Sequence, residues 1–100
     1  MSDEVVRRVL VQGVVQGVGY RAWVEREANA RDIEGWVRNR RDGSVEALFA
    51  GPAAVVTEMI AACGQGPRMA KVEAVDDHPD VADALKMRSA GERFSVLSTI

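Results

Sequence analysis

Apolar and polar positions follow regular periods in the first third of the chain. Residues 5–11 are rich in β-branched side chains and predict a strand. Residues 13–19 hold three glycines and predict a loop. An apolar stripe with a four-residue period then predicts a helix that runs to about residue 31. The stripe is formed by Tyr20, Val24 and Ala28, with Trp23 beside them.

A hairpin is predicted next. Residues 35–39 form an extended segment, and Asp42-Gly43 is a turn signal because a tight turn needs positive φ. Residues 44–50 alternate between apolar and polar side chains, as a strand with one buried face does. The apolar face carries Val45, Ala47 and Phe49.

The rest of the chain predicts a second helix and two more strands. Gly51-Pro52 begins the helix, and the glycines at 64 and 66 end it. Residues 71–75 predict a short strand and residues 94–97 a final one. Residues 81–87 have weak helical character, and an extended loop over 76–91 is an open alternative. The buried stripe of the second helix is Val55, Val56, Met59, Ile60 and Cys63.

The predicted order is β-α-β-β-α-β with an added C-terminal strand. This is the ferredoxin-like α+β arrangement, in which an antiparallel sheet carries two helices on one face. The length of 100 residues fits a single domain spanning 1–100. The fold alone does not define a function, since it hosts many activities.

The amino-acid composition argues against several classes of binding partner. The chain has 13 basic and 15 acidic residues, a net charge of −2, and five aromatic residues, so we expect no nucleic-acid partner. Its single cysteine, Cys63, cannot form an intrachain disulfide or the cysteine pair of a metallochaperone. No apolar run approaches the ~20 residues of a membrane span. We therefore expect a cytoplasmic protein without a membrane partner.

The glycine-rich loop has the features of an anion site. It leads into the N-terminus of a helix, where backbone N–H groups and the helix dipole favour negative charge. Arg21 follows at once and offers a planar fork that can hold two phosphate oxygens. The simpler interpretation is that the glycines only allow a sharp turn. The loop lacks the Gly-Lys-Ser/Thr ending of a nucleotide-binding P-loop.

Between Gln12 and Arg21 the chain has no nucleophile and no titratable base that could act in acid–base catalysis near neutral pH. Hydrolysis at this loop would therefore depend on positioning and electrostatics, which suit a substrate with a good leaving group. A mixed anhydride of a carboxylic and a phosphoric acid is such a substrate. Asn39 could orient a water molecule through its carboxamide, although an asparagine beside a turn is common in any case.

Two motifs resemble those of the acylphosphatase family. Residues 13–21, GVVQGVGYR, are similar to its first signature. Residues 35–39, GWVRN, followed by DGSVE at 42–46, are similar to its second. The resemblance is ungapped over about residues 9–60 and looser beyond.

The resemblance implies hydrolysis of acyl phosphates to carboxylate and inorganic phosphate, without metal, cofactor or covalent intermediate. Arg21 would clamp the phosphoryl group and Asn39 would orient the attacking water, whose proton goes to the phosphate of the substrate. Inorganic phosphate would be both product and competitor, and the protein a monomer. The backbone amides implied to bind the phosphoryl group are those of Val15, Gln16, Gly17, Val18, Gly19 and Tyr20.

Several positions depart from the family or suggest other chemistry. Asp32 stands where the family usually ends its first helix with glycine, and Arg31 replaces an apolar residue, so we expect a looser end of this helix. His78, after two aspartates, suggests a metal site, but we favour a solvated turn. Trp23 and Trp36 are expected to pack in the core or at its rim. A non-catalytic module that binds a phosphorylated ligand, RNA or a protein remains the alternative function.

Overall fold

The computed structural model describes residues 3–100. Its order of elements is the predicted one, and a short 3₁₀ helix, Ala82–Met87, precedes the last strand. The main elements are β1 (Glu4–Val14), α1 (Tyr20–Ala30), β2 (Glu34–Asn39), β3 (Val45–Pro52), α2 (Ala53–Cys63), β4 (Lys71–Pro79) and β5 (Phe94–Val96).

The five strands form one sheet in the order β4-β1-β3-β2-β5. Strands β1 to β4 pair in antiparallel fashion, as the sequence predicts. The added strand β5 instead runs parallel to β2, with Gly35 opposite Phe94. The reason is topological. Strand β4 ends at the end of the sheet where β1 and β2 begin. The 3₁₀ helix carries the chain across that end to β2, so β5 must run in the direction of β2.

The main core lies between one face of the sheet and the two helices. The stripes predicted for the helices supply its upper layer, although Val55 and Ile60 are only partly buried. The core side chains include Val9, Val11, Val37, Val45, Ala47, Phe49 and Phe94 from the sheet and Tyr20, Val24, Ala28, Val56, Met59 and Cys63 from the helices. Within the described residues, no helix is long and apolar enough to cross a membrane.

The opposite face of the sheet is also covered. Trp36 is fully buried there, and its Nε1 donates to the carbonyl oxygen of Ala84 in the 3₁₀ helix at 2.9 Å. The guanidinium groups of Arg8 and Arg38 lie 5.2 and 4.8 Å from the centre of the Trp36 ring. Glu46 lies between these arginines and bonds to both. The ring is therefore a packing residue, as expected, and not an open surface for stacking bases.

Some predicted boundaries were wrong. Strand β4 continues to Pro79, so His78 lies in a strand and not in a solvated turn. Pairing with β1 extends as far as Arg7 opposite Pro79, because an exposed edge strand tolerates polar side chains and a terminal proline. Helix α2 begins at Ala53, one residue after Pro52 and two after the predicted start at Gly51.

Candidate functional site

A cleft of about 540 Å³ opens where the loop between β1 and α1 faces the end of β2. It brings the two sequence motifs together, although they lie on separate elements. The lining residues are Val15, Gln16, Gly17, Gly19, Tyr20, Arg21, Ala22, Glu25, Asn39, Glu92 and Val96. Val18 is the one predicted loop residue outside this set, and it packs against the core instead.

The loop takes its shape from two glycines in the left-handed region. Gly17 has φ 74° and Gly19 φ 77°, and apart from the adjacent residues no heavy atom of the described chain lies within 4 Å of the position that a Cβ would occupy at either residue. The requirement for glycine is therefore one of backbone conformation and not of space. Gly19 is the N-cap residue of α1 and supplies no capping side chain, so the first amides of the helix remain open to a ligand.

Arg21 lies in the first turn of α1 and lines the cleft. Its Nη1 donates to the carbonyl oxygen of Leu97 at 3.2 Å, which holds the side chain against the segment after β5. Within residues 3–100 it forms no ion pair with a carboxylate, whereas Arg8, Arg31 and Arg38 all do. Arg21 therefore places at the helix N-terminus a positive charge that no carboxylate of the described residues neutralises.

Asn39 is the last residue of β2 and lines the cleft from the other side. Its backbone carbonyl accepts a hydrogen bond from the N–H of Ile100 at 3.1 Å. Its side-chain Oδ1 is buried and has no hydrogen-bond partner among the described residues. A buried acceptor without a donor is unfavourable by about 1–3 kcal/mol, so this oxygen is a ready partner for a bound molecule that carries a proton.

Tyr20 and Cys63 connect the start of α1 to the end of α2. The buried Tyr20 hydroxyl donates to the carbonyl oxygen of Cys63 at 2.6 Å. Burial raises the pKa of Tyr20 far above its usual range and raises the pKa of the Cys63 thiol to about 12. Both groups are therefore neutral near pH 7 and supply neither a base nor a nucleophile.

The residues that close the cleft were not predicted from the sequence. Glu25 lies one helical turn after Arg21, so the helix period could have placed it on the same face. Glu92 and Val96 come from the end of the chain, where no motif marks them. Glu92 is fixed by Ser95, whose Oγ donates to its Oε1 at 2.6 Å.

The metal site considered from the sequence is not formed by the described part of the chain. No group of three His, Cys, Asp or Glu side chains there comes close enough to hold an ion. His78 lies on β4 and does not line the cleft.

Known proteins resemble the whole arrangement. The acylphosphatase family model matches residues 7–90. An acylphosphatase of Rhodopseudomonas palustris (strain BisB18) is 62% identical over 96% of this chain and 97% of its own length. One from Nitrobacter hamburgensis is 58% identical over 98% and 99%. The crystal structure of acylphosphatase from Bacillus subtilis, 35% identical, superimposes with a TM-score of 0.80 over 93% of this chain and 98% of that one. The chain therefore belongs to the acylphosphatase family of enzymes.

Proposed function

We propose that the cleft hydrolyses the carboxyl–phosphate anhydride bond of acyl phosphates with Arg21 as the phosphate clamp and Asn39 as the residue that orients water. Membership of the family supports hydrolysis of a small acyl phosphate. The observation that carries the assignment of roles is a juxtaposition. Among the described residues, Arg21 has no carboxylate partner and the buried Oδ1 of Asn39 has no donor, and both side chains line the same cleft.

The phosphoryl group is held by the loop and the arginine. The backbone amides from Val15 to Tyr20 and the dipole of α1 favour a dianion at the N-terminus of the helix. The guanidinium fork of Arg21 grips two of its oxygens, and its bond to Leu97 keeps it directed along the wall of the cleft. The same contacts grow stronger as charge develops in the transition state.

Water is oriented from the opposite wall. The Oδ1 of Asn39, which has no donor among the described residues, accepts a hydrogen bond from the water, and the side-chain amide nitrogen of Asn39 donates one to an oxygen atom beside that water. The attacking lone pair is thereby aimed at the phosphorus atom. A proton of this water passes to a phosphate oxygen of the substrate, and the carboxylate leaves with the bonding electrons, so no protein base is needed.

The decisive experiment compares two changes at Asn39. Asn39→Ala should lower kcat strongly and change KM little, because the residue acts on water and not on phosphate. Asn39→Asp should be at least as inactive near neutral pH, since it loses the amide donor and brings a negative charge close to the phosphate. Activity of Asn39→Asp equal to the wild type would overturn the substrate-assisted mechanism. Asn29→Ala, on the exposed side of α1, is the matched control.

The same assay separates catalysis from binding alone. The protein should hydrolyse benzoyl phosphate and leave an alkyl phosphate nearly untouched, because the cleft offers little assistance to a poor leaving group. Inorganic phosphate should compete with the substrate. Phosphate binding without turnover of any acyl phosphate would instead favour a non-catalytic module.

A further inference from the structure

The side chain of Gln16 joins the two walls of the cleft. Its Nε2 donates to the carbonyl oxygens of Arg40 and Ser44 at 2.7 and 2.8 Å. A side-chain amide nitrogen carries two hydrogens, so both bonds form at once. Both acceptors lie in the turn that follows Asn39, and Gln16 itself lies in the phosphate loop. One side chain thus connects the loop to the segment that carries Asn39.

The sheet alone does not connect these two parts directly. The loop follows β1 and Asn39 ends β2, but β3 lies between those strands. Neighbouring strands are about 4.8 Å apart, so β1 and β2 are separated by about 10 Å and share no ladder of hydrogen bonds. The distance from the loop to Asn39 therefore depends on the turn between β2 and β3 and on whatever holds that turn in place.

The turn has its own internal bonds. The N–H of Arg40 donates to the carbonyl oxygen of Ser44 at 2.9 Å, and the N–H of Gly43 donates to that of Arg40 at 3.1 Å. Each carbonyl contacted by Gln16 therefore keeps a backbone donor when the Gln16 side chain is removed. Loss of this side chain leaves no orphaned carbonyl at the two contacts, but it releases the turn from the loop.

We infer that Gln16 is a positioning residue, whose side chain holds Asn39 at a fixed distance from the phosphate loop. This role is separate from that of the Gln16 backbone amide, and it rests on the role proposed for Asn39. A displacement of about 1 Å at a reacting group lowers rates by as much as about a hundredfold, so a bridge of two short hydrogen bonds is well placed to set the rate.

The test uses two substitutions at one position. Gln16→Met keeps the length of the side chain and removes the donors, and we expect kcat for benzoyl phosphate to fall by about tenfold or more. Inhibition by inorganic phosphate should change much less, because the backbone amides remain. Gln16→Glu turns an acceptor towards two carbonyl oxygens and should be slower still. The control is Gln65→Met, an exposed position outside the cleft, which should behave as the wild type.

Several results would overturn the inference. Wild-type kinetics in Gln16→Glu would do so, as would a loss of phosphate inhibition in Gln16→Met that equals the loss of kcat. Because Gln16 acts through Asn39, Gln16→Met should have little further effect in an Asn39→Ala background. Additive losses would place its role at the phosphate instead.

A readout without turnover separates this inference from the proposed function. The side-chain amide NMR signals of Asn39 should shift or broaden in Gln16→Met and stay unchanged in Gln65→Met. Unshifted signals would refute the positioning role even in an active enzyme. An Asn39→Ala variant with wild-type kcat would instead refute the proposed role of Asn39, while the shifted signals would still support the bridge.

Discussion

At the scale of single residues, the surroundings of Arg21 set it apart from many of the other arginines. Arg8, Arg31 and Arg38 all bond to carboxylates, and Arg88 bonds to Glu34. Arg21 contacts a carbonyl oxygen, which orients its guanidinium without neutralising it. Eleven of the 13 basic residues are arginines, and this composition says little about function. One arginine at a helix N-terminus without a carboxylate partner among residues 3–100 is more informative.

Replacement of Arg21 by lysine tests the fork and not the charge. Arg21→Lys should lower kcat/KM by roughly ten- to a hundredfold, because loss of a charge-assisted hydrogen bond is worth about 1.5–3 kcal/mol. Steady-state kinetics and inhibition by phosphate measure the effect. Arg26→Lys, exposed on the same helix, is the control. Unchanged kinetics in Arg21→Lys would contradict bidentate binding.

The two carboxylates at the cleft provide a test of the proton's path. Glu25→Gln and Glu92→Gln should both stay active with the pH dependence of the wild type, because the substrate's phosphate takes the proton. A general base contributes about 10²–10⁴-fold, so a loss of that size in either variant would assign the base to that residue. Rates measured from pH 5 to 8, with Glu73→Gln as an exposed control, test this prediction.

The parts of the candidate cleft that are local in the chain could be predicted from the sequence. The loop, Arg21 and Asn39 lie in two short motifs whose spacing is informative. Leu97 and Glu92 could not be found in this way, because their segment meets the cleft only after the chain has crossed the sheet. The bridge made by Gln16 was missed for a similar reason, since only tertiary structure shows which carbonyls its side chain reaches.

At the scale of elements, the end of α1 adopts the usual left-handed conformation although Asp32 stands where the family usually has glycine. Asp32 has φ 59°, the left-handed conformation expected from its place after the helix. Its carbonyl oxygen accepts a hydrogen bond from Arg93 Nη2 at 3.1 Å. Arg31, which replaces an apolar residue, bonds to Glu27 and to Glu58 of α2. The sequence suggested that these residues loosen the helix end, and their contacts instead tie it to its neighbours.

The strain at Asp32 is measurable. Asp32→Gly should stabilise the fold by about 0.5 kcal/mol. The substitution relieves the left-handed strain, and this gain exceeds the cost of the added conformational freedom of the unfolded chain. Asp32→Ala should destabilise it by about 1 kcal/mol, since alanine has no polar side chain to favour this conformation. Urea unfolding of the two variants and the wild type gives the order. A glycine variant less stable than the wild type would show that the Asp32 side chain, whose Oδ1 lies 3.3 Å from Arg93 Nη2, contributes more than the backbone strain.

At the scale of the whole molecule, a charged layer closes the face of the sheet opposite the helices. Glu46 is 5% exposed and accepts hydrogen bonds from Arg8 and Arg38 at 3.0 and 2.7 Å. Burial acts to raise the pKa of this carboxyl, but the two arginines outweigh burial and hold its pKa below the usual range. The ionised form is therefore the one that the folded state favours.

This layer makes the fold sensitive to acid. A carboxylate whose pKa is lower in the folded state stabilises the fold above its unfolded pKa, and that contribution is lost as the pH falls below about 4.3 towards the folded value. Glu46→Gln should be less stable than the wild type by about 1.5–3 kcal/mol at pH 7 and by less at pH 3. Urea unfolding at both pH values measures this, with exposed Glu73→Gln as the control. A difference that does not change with pH would contradict the role of the charge.

The position of β1 between β3 and β4 has a consequence for how the newly made polypeptide avoids aggregation. Strand β1 is synthesised early, but the contact between Arg7 and Asp77 spans 70 residues. One edge of this apolar, β-branched strand therefore stays unpaired until β4 has been synthesised. Charges beside such a segment oppose association with other chains. Arg7 and Arg8 provide such charges before β4 is paired. Once β4 pairs with β1, Asp77 and Asp80 form ion pairs with these two arginines. The same two arginines thus serve solubility before folding and ion pairing after it.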